Sequence, residues 1–124
     1  HLAESTAARN GMALDLDLPN EFSLPPEIEQ NVYRIAQEAL SNVVNHANAT
    51  RLSVRMVRDA GHIELAIHDD GVGFDPDGIL RESHYGIQGM VERAELIGAD
   101  LSVESRLGKG TTIRLGLDRA GGPE

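Results

Sequence analysis

Apolar and polar positions along the chain change period several times, and each change marks an element. Met12, Leu14, Leu16 and Leu18 alternate with Ala13, Asp15 and Asp17, the two-residue period of a half-buried strand, and Pro19-Asn20 ends it. A strand is predicted over residues 12 to 18. Pro25-Pro26-Glu27 then supplies the proline and acid favoured in a first helical turn. Beyond it Ile28, Val32, Ile35, Ala36, Ala39, Val43 and Ala47 recur at three- and four-residue spacing, so a helix to about Ala47 with one core-facing stripe is predicted. Leu52, Val54 and Met56 alternate on one side of Arg58-Asp59-Ala60-Gly61, and Ile63, Leu65 and Ile67 on the other, which predicts a hairpin. Phe74 to Tyr85 has little period and reads as a loop. Ile87, Met90, Val91, Ala94 and Ile97 restore the helical period up to Gly98. Leu101 to Ser105 and Thr111 to Leu117 form a second hairpin across Leu107 to Gly110.

Strand, helix, two strands, loop, helix and two strands fit an α+β fold: a two-layer sandwich whose mixed, mostly antiparallel sheet carries its helices on one face. Residues 1 to 11 are small and polar without a clear period and do not begin with Met, so they are expected to be the remnant of a preceding linker. One domain is expected over residues 12 to 117, followed by a disordered tail at 118 to 124 that contains two adjacent glycines and a proline.

Composition narrows the function. The chain has 124 residues, enough for one core, and only 3% aromatic residues with no Trp, so that core is aliphatic. A net charge of -9 argues against nucleic acid, whose phosphates call for Lys and Arg. The same charge opposes a polyphosphate ligand unless a divalent cation and backbone N–H groups compensate at the site. No cysteine is present, which removes disulfides, Cys-based zinc sites and thiol chemistry, and no apolar run is long enough to span a bilayer.

Several short motifs bear on chemistry, and each has two readings. Glu38, Asn42 and His46 are spaced by four, which aligns them along one helix face as a ligand stripe or as a solvated face. An Asn oxygen is a hard donor suited to Mg²⁺, and Glu38 is placed to hold one of the metal's waters or to polarise an attacking group. Asp69-Asp70-Gly71-Val72-Gly73 follows an alternating strand. It is either a turn with Asp for capping and Gly for positive φ, or an acceptor for the exocyclic amine of a purine beside glycines that admit a flat ring. Gly86-Ile87-Gln88-Gly89 opens a helix, as an anion site or as a plain glycine-rich entry. Gly108-Lys109-Gly110-Thr111 is a hairpin turn first and a ligand loop second, with Lys109 within reach of a phosphate in the latter case. His68 alternates with core residues in a predicted strand and is not read as a phosphoacceptor, and His84 reads as a loop residue.

Taken together, Glu38-x-x-x-Asn42, Asp69-x-Gly71-x-Gly73, Gly86-x-x-Gly89 and Gly108-x-Gly110-Thr111 resemble, in order and spacing, the N box and the three glycine boxes of the ATP-binding superfamily of DNA gyrase, Hsp90, sensor histidine kinases and MutL. The strings Tyr33-Arg34-Ile35-Ala36-Gln37-Glu38-Ala39-Leu40-Ser41-Asn42 and Gly89-Met90-Val91-Glu92-Arg93-Ala94 resemble the catalytic domain of sensor histidine kinases of the NarX and DesK type. The resemblance implies a Bergerat-type sandwich binding ATP and Mg²⁺. Asp69 would contact the adenine amino group, Asn42 the metal and Glu38 its water or the reaction, while the glycine loops meet sugar and phosphates. It also implies a cytoplasmic domain that donates the γ-phosphoryl group to a histidine on a dimerisation domain outside this chain, with a response regulator downstream. Two departures stand out: Asn45 replaces a frequent Lys or Arg, and the loop from Asp75 to Tyr85 is short and lacks a Phe-rich box. The alternative function is an anti-sigma factor with serine protein kinase activity, which shares the pocket. A non-nucleotide α+β domain, its four boxes only turns and caps, is the third reading.

Overall fold

A computed structural model describes residues 2–18, 24–44, 49–59, 61–72 and 86–118. The chain order is α1 (Leu2–Arg9), β1 (Ala13–Asp17), α2 (Pro26–Asn42), β2 (Arg51–Asp59), β3 (His62–Asp69), α3 (Ile87–Leu96), β4 (Asp100–Arg106) and β5 (Gly110–Asp118), where α3 is the third helix among the described residues. The strands form one sheet in the order β1-β2-β3-β5-β4. β1 runs parallel to β2, and the other three pairings are antiparallel, so the expected mixed and mostly antiparallel sheet is present.

The period-two pattern sorts the strands into an inner and an outer face. Leu52, Val54, Met56, Ile63, Leu65, Ile67, Ile113, Leu115 and Leu117 point inward and are buried. They pack with Ile35, Ala39 and Leu40 of α2 and with Met90 and Ala94 of α3 in one aliphatic core. Ile35, Leu52 and Met90 are the largest side chains fully removed from water. The outer face is polar, with Arg114 beside Glu64 and Glu104 and Arg55 beside Asp17.

Residues 2 to 9, where no period is read, are helical. Among the described side chains of α1, from Glu4 onward, the buried ones are Thr6 and Ala7, small residues that make a weak apolar signal. Ala supplies propensity, and Glu4 in the first turn and Arg9 in the last complement the dipole. Gly11 at φ 65 and the Met12 N–H to Ala7 carbonyl bond of 3.0 Å close the helix as a Schellman motif and turn the chain into β1. The α-helical part of α2 runs to Asn42 and Val43 and Val44 continue it as a wider, π-type turn, while the expected end near Ala47 lies outside the described residues.

Candidate functional site

β3 delivers Asp69 at its last position, in the inward alternation of Ile63, Leu65 and Ile67, so a carboxylate ends a row of aliphatic side chains. Asp69 is 4% exposed. Its Oδ1 accepts the Gly71 N–H at 2.8 Å, and its carboxylate makes no other hydrogen bond among the described residues. Burial pushes the Asp69 carboxyl above the ordinary aspartate range and the neighbouring Asp70 adds to this, whereas the Gly71 N–H and His68 oppose it.

Two fixtures hold the loop after β3. Asp70 Oδ1 accepts the backbone N–H groups of Thr50 and Arg51, each at 2.9 Å, while its Oδ2 accepts the Thr50 hydroxyl at 2.9 Å. These bonds hold the exposed Asp70 carboxyl below its usual range. The Gly108 N–H donates to the Val72 carbonyl at 2.6 Å, which ties the β4–β5 turn to the same loop. Gly110 starts β5 at φ 87, and any Cβ there would overlap the Asp69 carbonyl oxygen. A glycine is therefore required to bring Thr111 into register opposite Asp69. Ser105 of β4 faces Thr111 in turn, and their hydroxyl oxygens are 2.7 Å apart. Asp69, Thr111 and Ser105 thus form a polar row across three strands, at the inner edge of an aliphatic core.

Between α2 and α3 lies a hollow of about 260 Å³ lined by Arg34, Gln37, Glu38, Gly86, Gly89, Met90 and Arg93. Gly86 caps α3 in the left-handed region at φ 69, and a Cβ at this position would strike the Glu38 carboxylate. The second glycine box is thereby brought against the helix that carries Glu38, while the space around Gly89 stays open. Asn31 links the two helices: its amide donates to the Glu27 carbonyl at 2.9 Å and its oxygen accepts from Arg93 at 3.4 Å. Asn42 lies half-buried at the last position of α2, one turn beyond Glu38.

The predicted residues are therefore only partly brought together. Asp69, Gly71, Gly110 and Thr111 meet at the sheet end, and Glu38, Gly86 and Gly89 line the hollow. Lys109 is exposed and lines a separate cavity of about 480 Å³ with His68, Glu104, Arg106 and Thr112. His46, Gly73 and His84 lie outside the described residues. His68 is exposed on the outer face, its Nδ1 2.7 Å from the Thr112 hydroxyl, as expected of a surface residue. Among the described residues no three His, Asp or Glu side chains cluster as metal ligands, and no helix is long and apolar enough to cross a membrane.

Sequence reasoning passed over Ser105, Arg34, Arg93 and the Asp70 clamp. Ser105 left a signal, a hydroxyl at the third inward position after Leu101 and Val103. The arginines left none, since a cation on a helix face is ordinary.

An open five-stranded mixed sheet with a buried carboxylate and glycine-rich edges beside its helices defines an ATPase-type α/β sandwich. Residues 27–121 match the family of histidine kinase-, DNA gyrase B- and HSP90-like ATPases, and the chain belongs to it. It is an ATP-binding domain of the kind found in sensor histidine kinases. The sensor protein VraS of Staphylococcus haemolyticus is 39% identical over 95 residues, covering 77% of this chain and 27% of that protein. VraS of Staphylococcus aureus gives the same identity and coverage, so the chain spans 27% of the length of these curated relatives. In fold, the histidine kinase domain of the Erythrobacter litoralis blue-light activated histidine kinase superposes with a TM-score of 0.81 at 19% identity, covering 95% of this chain and 58% of that one. The ATP binding domain of PrrB from Mycobacterium tuberculosis gives 0.75 at 21% identity, covering 95% and 88%.

Proposed function

We propose that this domain binds Mg-ATP and presents the γ-phosphoryl group to a histidine on a dimerisation domain of the same parent protein, as the ATP-binding half of a two-component sensor histidine kinase. The observation that carries the reading is Asp69: a buried carboxylate with one oxygen held by Gly71 and the other without a hydrogen bond among the described residues. That second oxygen is open to accept from a ligand, and the exocyclic amine of adenine is a suitable donor.

In this reading Asp69 accepts from the adenine amino group, with Gly71 and Gly73 allowing close approach of the ring and Thr111 beside it. Glu38, Gly86 and Gly89 face the phosphates at the α2–α3 hollow, where Arg34 and Arg93 supply the positive charge that Asn45 does not. Asn42 is a ligand for Mg²⁺, and His46, Lys109 and Gly110 complete the phosphate side. Magnesium supplies charge neutralisation at the phosphates, and transfer then depends mainly on positioning. The strings from Tyr33 to Asn42 and Gly89 to Ala94 support placement near the NarX and DesK type. The anti-sigma reading is not carried further, because the relatives named above are sensor proteins.

Titration with a fluorescent ATP analogue, with and without Mg²⁺, tests the assignment. Asn42→Ala is expected to remove most of the Mg²⁺ dependence while leaving metal-free binding intact. Unchanged affinity in both Asn42→Ala and Asp69→Asn would overturn the site. The domain alone is expected not to phosphorylate itself at the family's histidine, and stoichiometric label transfer from ATP to one of its own histidines would refute that.

A further inference from the structure

The face of the sheet turned away from α2 and α3 carries a second cluster. Successive residues of a strand point to opposite faces, so His68 and Thr112 lie on the far side of the sheet from Asp69 and Thr111. His68 Nδ1 is 2.7 Å from the Thr112 hydroxyl, and both residues line a cavity of about 480 Å³ with Glu104 and Arg106. That volume falls in the ordinary range of small-molecule sites, roughly 300–1,000 Å³. Arg106 stands opposite Gly110, which has no side chain to engage the guanidinium. The Glu104 carboxylate lies 3.6 Å from Arg114 Nε, and among the described residues neither Arg106 nor His68 is in an ion pair. Lys109 also lines the cavity, but the nucleotide reading uses it, so Arg106 and His68 carry this site. In a chain of net charge -9, a guanidinium without a counter-charge beside an imidazole and a hydroxyl is a local concentration of groups that suit an anion.

We propose that this outer cavity binds a small ligand carrying a phosphate group, with Arg106, His68 and Thr112 as its contacts. A guanidinium offers parallel N–H donors to two phosphate oxygens, and the imidazole and hydroxyl come from the two neighbouring strands, so the three groups are held by sheet pairing and not by a loop. Val103 also lines the cavity and gives an apolar wall for an organic body attached to the phosphate. An acidic protein segment is the poorer occupant. Laid along β4, the edge strand of the sheet, it would run past the exposed Glu104 and Asp100, whose charges repel it. The site needs neither Asp69 nor the α2–α3 hollow, so it stands apart from the nucleotide reading.

The test follows the amide signals of the ¹⁵N-labelled 124-residue chain by NMR as inorganic phosphate or glycerol 3-phosphate is added, with sodium chloride at matching ionic strength as the reference. Saturable shifts centred on His68, Arg106 and Thr112 are expected. Arg106→Gln should weaken the binding that they report by roughly threefold to tenfold, the size of one exposed charge-assisted contact. Arg55→Gln removes an outer-face cation that lies beside Asp17 and away from the cavity, and should leave that binding unchanged. Tighter binding of glycerol 3-phosphate would support a phosphate ester as the ligand, and tighter binding of inorganic phosphate would support the free anion. Shifts that chloride reproduces, that grow without saturation, or that the two arginine substitutions reduce alike would overturn the site. Shifts confined to Glu38, Gly86 and Gly89 would overturn it too, while leaving the nucleotide reading in place.

Discussion

Replacing Asp69 by Asn separates two quantities that the structure couples with opposite signs. Burial holds the folded-state pKa of this carboxyl above its unfolded value, so the native state binds a proton more readily than the unfolded chain does. Stability from this group therefore falls as pH rises from the ordinary carboxylate range through the raised pKa, and at neutral pH the buried charge is a net cost. A neutral isostere removes that cost, and the unliganded variant is expected to melt at a higher temperature. Binding moves the other way. The Gly71 N–H needs an acceptor, so the substituted amide must direct its single oxygen there and turn its NH₂ toward the ligand amine, donor against donor. A lost hydrogen bond to a charged group is worth about 1.5–3 kcal/mol, which is roughly 10- to 150-fold in Kd. Nucleotide at one hundred times Kd stabilises the wild type by about 2.7 kcal/mol, and after a hundredfold loss the same concentration gives only about 0.4 kcal/mol. At about 4 °C per kcal/mol for a domain of this size, the ligand-induced shift in Tm falls from roughly 11 °C to about 2 °C. Scanning calorimetry with and without Mg-ATP reads both effects. An unliganded Tm below wild type would refute the burial argument, and an undiminished ATP shift would refute the base contact.

Three further substitutions probe the frame around the site. Gly110→Ala meets both a left-handed φ of 87 and the Asp69 carbonyl, so a loss of about 1–3 kcal/mol is expected in urea melts, together with weaker nucleotide binding. Ile35→Ala empties a fully buried position in α2 and should cost about 2–5 kcal/mol, with little change in nucleotide affinity at temperatures where the variant is folded. Asp70→Ala removes the clamp on Thr50 and Arg51. Because the folded pKa of Asp70 is lowered, its stabilisation is present above the unfolded pKa and lost as pH falls through the folded one. The stability gap between wild type and Asp70→Ala should therefore close in strong acid, and a gap constant from pH about 7 down to about 2 would count against the clamp.

What the sequence made legible is what large side chains report. Alternation located β1 to β5 to within about a residue or two at each end, and the stripe from Ile28 to Ala47, whose last member lies outside the described residues, located α2, because Leu, Ile and Val are buried where the period puts them. The helix α1 was hidden because its buried side chains among the described ones, Thr6 and Ala7, are small. Asp69 was legible as the end of a strand, but a capped turn accounts for the same residues, and the burial of its carboxylate appears only in the structure. Pairing within the two hairpins was legible, but the neighbour of each hairpin in the sheet was not. That Thr111 stands opposite Asp69 follows from sheet order, with β5 beside β3, which no local period encodes.

The placement of the polar row gives this end of the sheet the properties a base-binding site would need. Along β3, β5 and β4 the inward rows formed by Leu65, Leu115 and Leu101, and by Ile67, Ile113 and Val103, are aliphatic; the next row is Asp69, Thr111 and Ser105. A charged group one row deeper would be sealed in hydrocarbon, and one row further out it would be hydrated. At the boundary it is desolvated enough to value a donor, and its loop is pinned by Asp70 and Gly108 so that the geometry waits for the ligand. The charge at the other end of the ligand poses the opposite problem. A chain with a net charge of -9 must hold phosphates, and among the described residues the cations lining the α2–α3 hollow are Arg34 and Arg93. Those two set against Glu38 leave a local surplus of one positive charge, too little for a triphosphate. On the proposed reading a divalent cation held at Asn42 would supply the missing charge, and nucleotide affinity should then depend on Mg²⁺ even where no transfer takes place.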